Sequence, residues 1–128
     1  MRLWHTDLIS VLPRQQLLGQ WRELNSIFVK QDKHILINFV YDYSKNDLYS
    51  YSLMIMVEML KRGYKVNTSN FYKYFNTDEV TYTTQPFIDK MRNRYLVQCY
   101  YNLQEKFDCG GITEEEWDQI KKQIGDKI

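Results

Sequence analysis

A chain of 128 residues, 44% hydrophobic and 16% aromatic, has the apolar surface for one core and too little length for two domains. No run approaches the roughly 18 to 20 apolar residues of a membrane span, and the start lacks the apolar stretch of a secretory signal, so a cytoplasmic protein is expected. Net charge is +1, but residues 113–128 carry three Lys against five Asp/Glu, which leaves +3 on the first 112, a balance compatible with a polyanionic partner without requiring one.

Helical periodicity dominates from residue 13 onward. In PRQQLLGQWRELNSIFVK, Pro13 suits a first turn, and Leu17, Trp21, Leu24 and Phe28 recur at helical spacing as one apolar stripe, with Arg14, Arg22 and Lys30 off it. HILINFVYDY is β-rich by propensity but has no partner strand, and is expected to be an extended or irregular linker inside an all-α domain. A second helix is expected from an Asn46 N-cap to a stop at Gly63, with Leu48, Tyr51, Ile55 and Met59 inward and Leu53, Met56 and Leu60 widening the stripe. NTSNFYKYFNTDEVTYTT holds no sustained period and reads as an irregular loop with a short helical turn at 69–75. A third long helix is expected from Pro86 to about Phe107, ended by DCGG. ITEEEWDQIKKQIG then carries a helix N-terminal signature, with Thr113 as N-cap, Glu116 as its capping-box partner and Ile112 against Trp117 as a hydrophobic staple. The expected fold is all-α, one domain over residues 1–128 built of three long helices and a short capped C-terminal helix joined by irregular segments.

Cys99 falls on an apolar helical face and Cys109 in a Gly-rich turn, so free thiols are expected. His5, His34, Cys99 and Cys109 lack metal-ligand spacing, and neither metal nor cofactor is expected. There is no Gly-rich phosphate loop, no nucleophile elbow and no HExxH motif. Trp4 and Trp21 read as core, His5 and His34 as surface or packing residues, and the tyrosines of 71–82 as packing or solubilising.

The opening stretch MRLWHTDLISVLPRQQLLGQWRELNSIF resembles the start of the pyrimidine-dimer DNA glycosylase and abasic-site lyase family, the phage endonuclease V-like enzymes. The likeness is densest at Leu8, Ser10, Leu12, Gln15, Leu17 and Arg22-Glu23-Leu24, and echoes follow in Lys33-His34 and in EMLKRGYKV at 58–66. It implies a compact helical enzyme whose nucleophile is its own N-terminal α-amine. Such an amine titrates near 7.8 against about 10.4 for lysine, so about a third is neutral near pH 7.5, compared with about 0.1% of lysine side chains.

By position, the resemblance makes Met1 the nucleophile, since bulky Arg2 is expected to block its removal, and Glu23 the catalytic carboxylate. It places Arg2, Gln15, Arg22, Lys33 and His34 against DNA phosphates or in the cleft, and implies damaged double-stranded DNA as the partner. The chain departs from the phage member at Gln16 and Ser26, where that enzyme carries a histidine and an arginine, and in its shorter, less basic middle segment. The alternative is a non-catalytic helical module on the same scaffold that binds nucleic acid or a protein.

Overall fold

The computed structural model describes residues 1–128, and its regular structure is all helical, without strands. An irregular segment, Met1–His5, leads into a 3-10 helix at Thr6–Val11. Five α-helices follow: α1 at Arg14–Lys30, α2 at Lys45–Lys61, the short α3 at Ser69–Tyr74, α4 at Asn93–Asp108 and α5 at Glu114–Ile124. Helix α1 packs on α2 and α3, α2 and α5 both pack on the first 3-10 helix, and α4 packs on α5. The expected all-α architecture of three long helices and a short capped one is the one observed.

The α1 stripe is the centre of the core. Leu17 and Leu24 are wholly buried and Trp21 and Phe28 nearly so, each such side chain stabilising the fold by about 1.5–3 kcal/mol. Phe28 meets Phe71 and Phe75 edge-on, with ring centroids at 5.9 and 5.4 Å, and Trp21 lies 6.4 Å from Phe71. The segment read as an irregular loop therefore delivers two fully packed aromatics from α3 and its C-cap. At the other end, Trp117 stacks on Phe107 at 5.6 Å and is buried with Ile112, and the Thr113–Glu116 capping box is complete.

The echo EMLKRGYKV has a structural cause. Arg62 pairs with Glu58 at 2.7 Å and donates to the carbonyls of Leu12, Ile9 and Ser10 where the 3-10 helix ends. Gly63 follows at φ +88, the left-handed stop that glycine adopts without strain.

Four expectations are corrected. The α2 N-cap is Ser44; Asn46 lies in the first turn, because its Oδ1 is engaged in accepting the Thr81 backbone N–H at 2.9 Å. Leu60 is exposed, since it faces away from the helices that cover Met56 and Met59. The 34–43 linker is not extended: it forms a turn and a 3-10 helix at Asn38–Asp42, because a strand without a partner leaves its backbone unpaired. Helix α4 begins at Asn93, seven residues after Pro86. Phe87 holds a left-handed backbone at φ +56 with its ring buried against Phe39, Tyr43 and Tyr51, and its N–H is taken by Asp47 Oδ2 at 2.8 Å, a conformation that a helix cannot contain.

Glu116 caps two helices at once. Its Oε1 accepts the Thr113 N–H at 3.1 Å while Oε2 accepts the Arg14 N–H at 2.8 Å, at the start of α1. Partial burial opposes its ionised form, but the bonds from Arg14 and Thr113 outweigh that and leave its pKa below 4.5. The lowered pKa contributes stability above the unfolded value that is lost as pH falls through the folded one. Glu116→Gln is therefore expected to cost about 1–2 kcal/mol at neutral pH, with the difference from the parent closing in acid. Urea unfolding at both pH values checks this; a pH-independent gap would rule out the charge as its cause.

Candidate active site

Five residues at the start of the chain are held from three sides. Gln20 of α1 is 1% exposed and projects into the backbone of Met1–His5: its Nε2 donates to the Arg2 carbonyl at 3.0 Å, and its Oε1 accepts the Trp4 N–H at 2.9 Å. From α2, the Tyr51 hydroxyl lies 2.7 Å from the Trp4 carbonyl and 2.8 Å from Gln20 Oε1, one proton shared between two acceptors. Complete burial pushes the Tyr51 pKa well above the ordinary tyrosine range, so that proton stays. From α4, the Tyr95 hydroxyl donates to the Leu3 carbonyl. His5 then caps the 3-10 helix, its Nδ1 accepting the Asp7 N–H at 3.1 Å, and burial lowers its pKa so that the neutral ring is favoured.

This clamp delivers the N-terminus to a cavity of about 180 Å³ lined by Met1, Arg2, Trp4, Glu23, Leu36, Asn102 and Lys106. Glu23 is the cavity's carboxylate. Burial raises its pKa, and the N-terminal ammonium, the Arg2 backbone N–H, Arg22 and Lys106 pull it back only in part. Its Oε2 accepts the second Gln20 Nε2 proton at 3.1 Å, so one amide orients both the Arg2 backbone and the carboxylate. The Arg2 guanidinium lies between the Trp4 and Tyr95 rings, 5.8 and 6.0 Å from their centroids, and donates to Cys99 Sγ at 3.7 Å.

The other expected site residues surround this cavity unequally. Arg22 follows the turn of α1 beside Glu23 and is exposed. Lys33 and His34 are exposed in the loop after α1, whose Leu36 reaches the cavity. Gln15 is not brought to it: two turns N-terminal of Glu23, it lines a separate groove with Pro13, Gly110 and Thr113. The four ion pairs of the structure involve none of Arg2, Arg22, Lys33 and Lys106, so these cations have no carboxylate within 4.0 Å.

Gln20, Tyr51, Tyr95, Asn102 and Lys106 are the site residues that sequence reading missed. Gln20 left a signal, a polar side chain between Leu17 and Leu24 at helical spacing on an otherwise apolar stripe. Lys106 and Asn102 left none, because only the fold brings α4 to the N-terminus.

Removing the clamp should be costly. Gln20→Ala strands the Trp4 N–H and the Arg2 carbonyl, and a loss on the order of 2–4 kcal/mol is expected in chemical denaturation; a loss no larger than that of an exposed glutamine would discount the clamp. Glu23 carries the opposite sign. Its raised pKa means that the folded state binds more protons between the two pKa values, so stability is full below 4.5 and falls as pH rises through the folded value. Glu23→Gln should melt above the parent near neutral pH and lose that advantage in acid, as thermal scans at the two pH values will read; a lower melting point at neutral pH would show that the cations outweigh burial.

A family model described as pyrimidine dimer DNA glycosylase matches residues 1–71, the part of the chain that holds Met1–His5, α1 and α2. No curated protein and no solved structure matches the chain. With more than half of its length so matched, the chain belongs to the pyrimidine dimer DNA glycosylase family.

Proposed function

We propose that the protein is an N-glycosylase and abasic-site lyase acting on damaged double-stranded DNA, with the α-amine of Met1 as nucleophile and Glu23 as its acid–base partner. The observation that carries this reading is the shared cavity: Met1 and Glu23 line one small space, and Gln20 holds both the backbone next to the amine and the carboxylate. Membership of the family supports a DNA substrate, and the unpaired cations around the cavity suit phosphates.

The chemistry runs without a cofactor. The neutral amine adds its electron pair to C1′ of the damaged nucleotide as the glycosidic bond breaks and the base leaves with that bond's electrons. The nitrogen sheds a proton, Glu23 supplies one to the ring oxygen as the C1′–O4′ bond opens, and the product is a protonated imine. Loss of the C2′ proton to a carboxylate expels the 3′ phosphate, and water hydrolyses the imine to return the amine. The raised pKa of Glu23 suits a group that must hold a proton before giving it up. Arg2 and Arg22 are assigned to the phosphates that flank the lesion.

Borohydride trapping on an oligonucleotide with one abasic site tests the nucleophile. The native N-terminus should give a covalent adduct with the intact mass of a Met1-retaining chain, and an N-terminally extended version should give none; equal adducts from both would place the amine elsewhere. Glu23→Gln is expected to lower lyase turnover by at least about 100-fold with DNA affinity kept. Full turnover in that variant would remove Glu23 from the chemistry. Affinity that falls steeply with salt would separate phosphate binding from a non-catalytic module with a protein partner.

A further inference from the structure

The loop between α1 and the second 3-10 helix presents the most exposed large hydrophobic residue of the molecule. Ile35 is 85% exposed, and beside it Leu36, 40% exposed, lines the cavity that holds Met1 and Glu23. Apolar surface in this position is not the product of a loose turn. Gln31 reverses the chain out of α1 at φ +49, and Asp32 is held twice, its carboxylate by the Ser26 hydroxyl and its carbonyl by the Tyr41 hydroxyl. His34 organises the tip. Its N–H donates to Asn38 Oδ1 at 2.8 Å, its Nδ1 accepts the Leu36 N–H at 3.2 Å, and its carbonyl accepts the N–H groups of Ile37 and Asn38 at 2.8 and 2.9 Å. Ile37 is wholly buried and anchors the far side.

A rigid turn thus lifts one isoleucine into solvent at the rim of the cavity. The charges around it narrow the choice of partner. Lys33 precedes the tip by two residues and Lys106 lines the cavity with Leu36, both exposed and without a carboxylate partner. An apolar point with one unpaired cation beside it and another at the cavity it borders fits a base step between two phosphate strands.

We infer that Ile35 is a wedge that enters the base stack at the lesion and opens the duplex so that the nucleotide reaches Met1, with Leu36 joining the wedge to the cavity wall. Intercalating apolar side chains unstack and kink a duplex in this way, and a nucleotide in the stack cannot otherwise bring its C1′ into the small cavity beside Met1 and Glu23. The roles of three residues follow. His34 is a positioning residue for the tip, Lys33 holds backbone phosphate beside it, and Ser26, where the phage member has arginine, fixes Asp32 and with it the loop.

This inference rests on the proposed action on DNA, and the test separates the two. Ile35→Ser changes an exposed side chain outside the cavity lining and leaves the anchors of the loop intact. It is compared with the parent on a duplex carrying one pyrimidine dimer with 2-aminopurine placed opposite, and by borohydride trapping on a single-stranded abasic oligonucleotide, where no stack needs opening. The parent should raise 2-aminopurine fluorescence on binding. In Ile35→Ser that rise should be lost and duplex turnover should fall at least about tenfold, while single-strand trapping is unchanged and Ile35→Leu restores both duplex signals. Unchanged fluorescence and duplex turnover in an active protein would overturn the wedge alone. Equal losses on duplex and single strand would also overturn it, in favour of a merely structural loop. No trapping by the parent on either substrate would remove the action on DNA, and the wedge with it.

Discussion

The geometry of the site depends on the capture of Met1–His5 by Gln20, Tyr51 and Tyr95. Chain termini fray unless they are tied down, and a nucleophile that samples many positions loses most of the rate that orientation supplies. Here each of the three long helices gives one polar side chain to the same short stretch of backbone, and the bonds to Leu3 and Trp4 are buried, where an unmade partner is expensive. The backbone that leads to the terminal amine is thereby tied at Arg2, Leu3 and Trp4, although it lies at the end of the chain.

A second constraint follows from bringing a carboxylate to that amine. Glu23 is held where burial opposes its charge, and what keeps it usable is the surrounding positive charge: the terminus itself, Arg22 and Lys106. The protein as a whole is almost neutral, but its cations near the cavity are unpaired while Arg62, Arg92, Lys121 and Lys127 are tied to carboxylates elsewhere. A net charge of +1 therefore says little about the field at the cavity mouth.

The core of α1, the capping box at Thr113 and the stop at Gly63 were legible in the sequence, because each is set by local spacing or by a compact motif, whereas only the resemblance pointed to Met1 and Glu23, which the fold brings to one cavity. What was not legible depended on tertiary partners. Phe87 leaves the helical pattern because three aromatic rings make a pocket for it, and Asn46 gives up a cap to hold Thr81. Gln15 matches the family by position yet lies in another groove, since two helical turns along α1 separate it from Glu23. Lys106 and Asn102 come from α4, beyond the family-matched residues, so neither motif nor periodicity pointed to them.

The bond from Tyr95 to Leu3 spans 92 residues of sequence. The bond from α4 therefore forms only after most of the chain has been synthesised, although α1 and α2 already hold Arg2 and Trp4, and loops of that size close late. The cavity that Met1 and Glu23 share is thus complete only when α4 brings Asn102 and Lys106 to it, so its lining is a property of the finished fold and of no shorter piece of it.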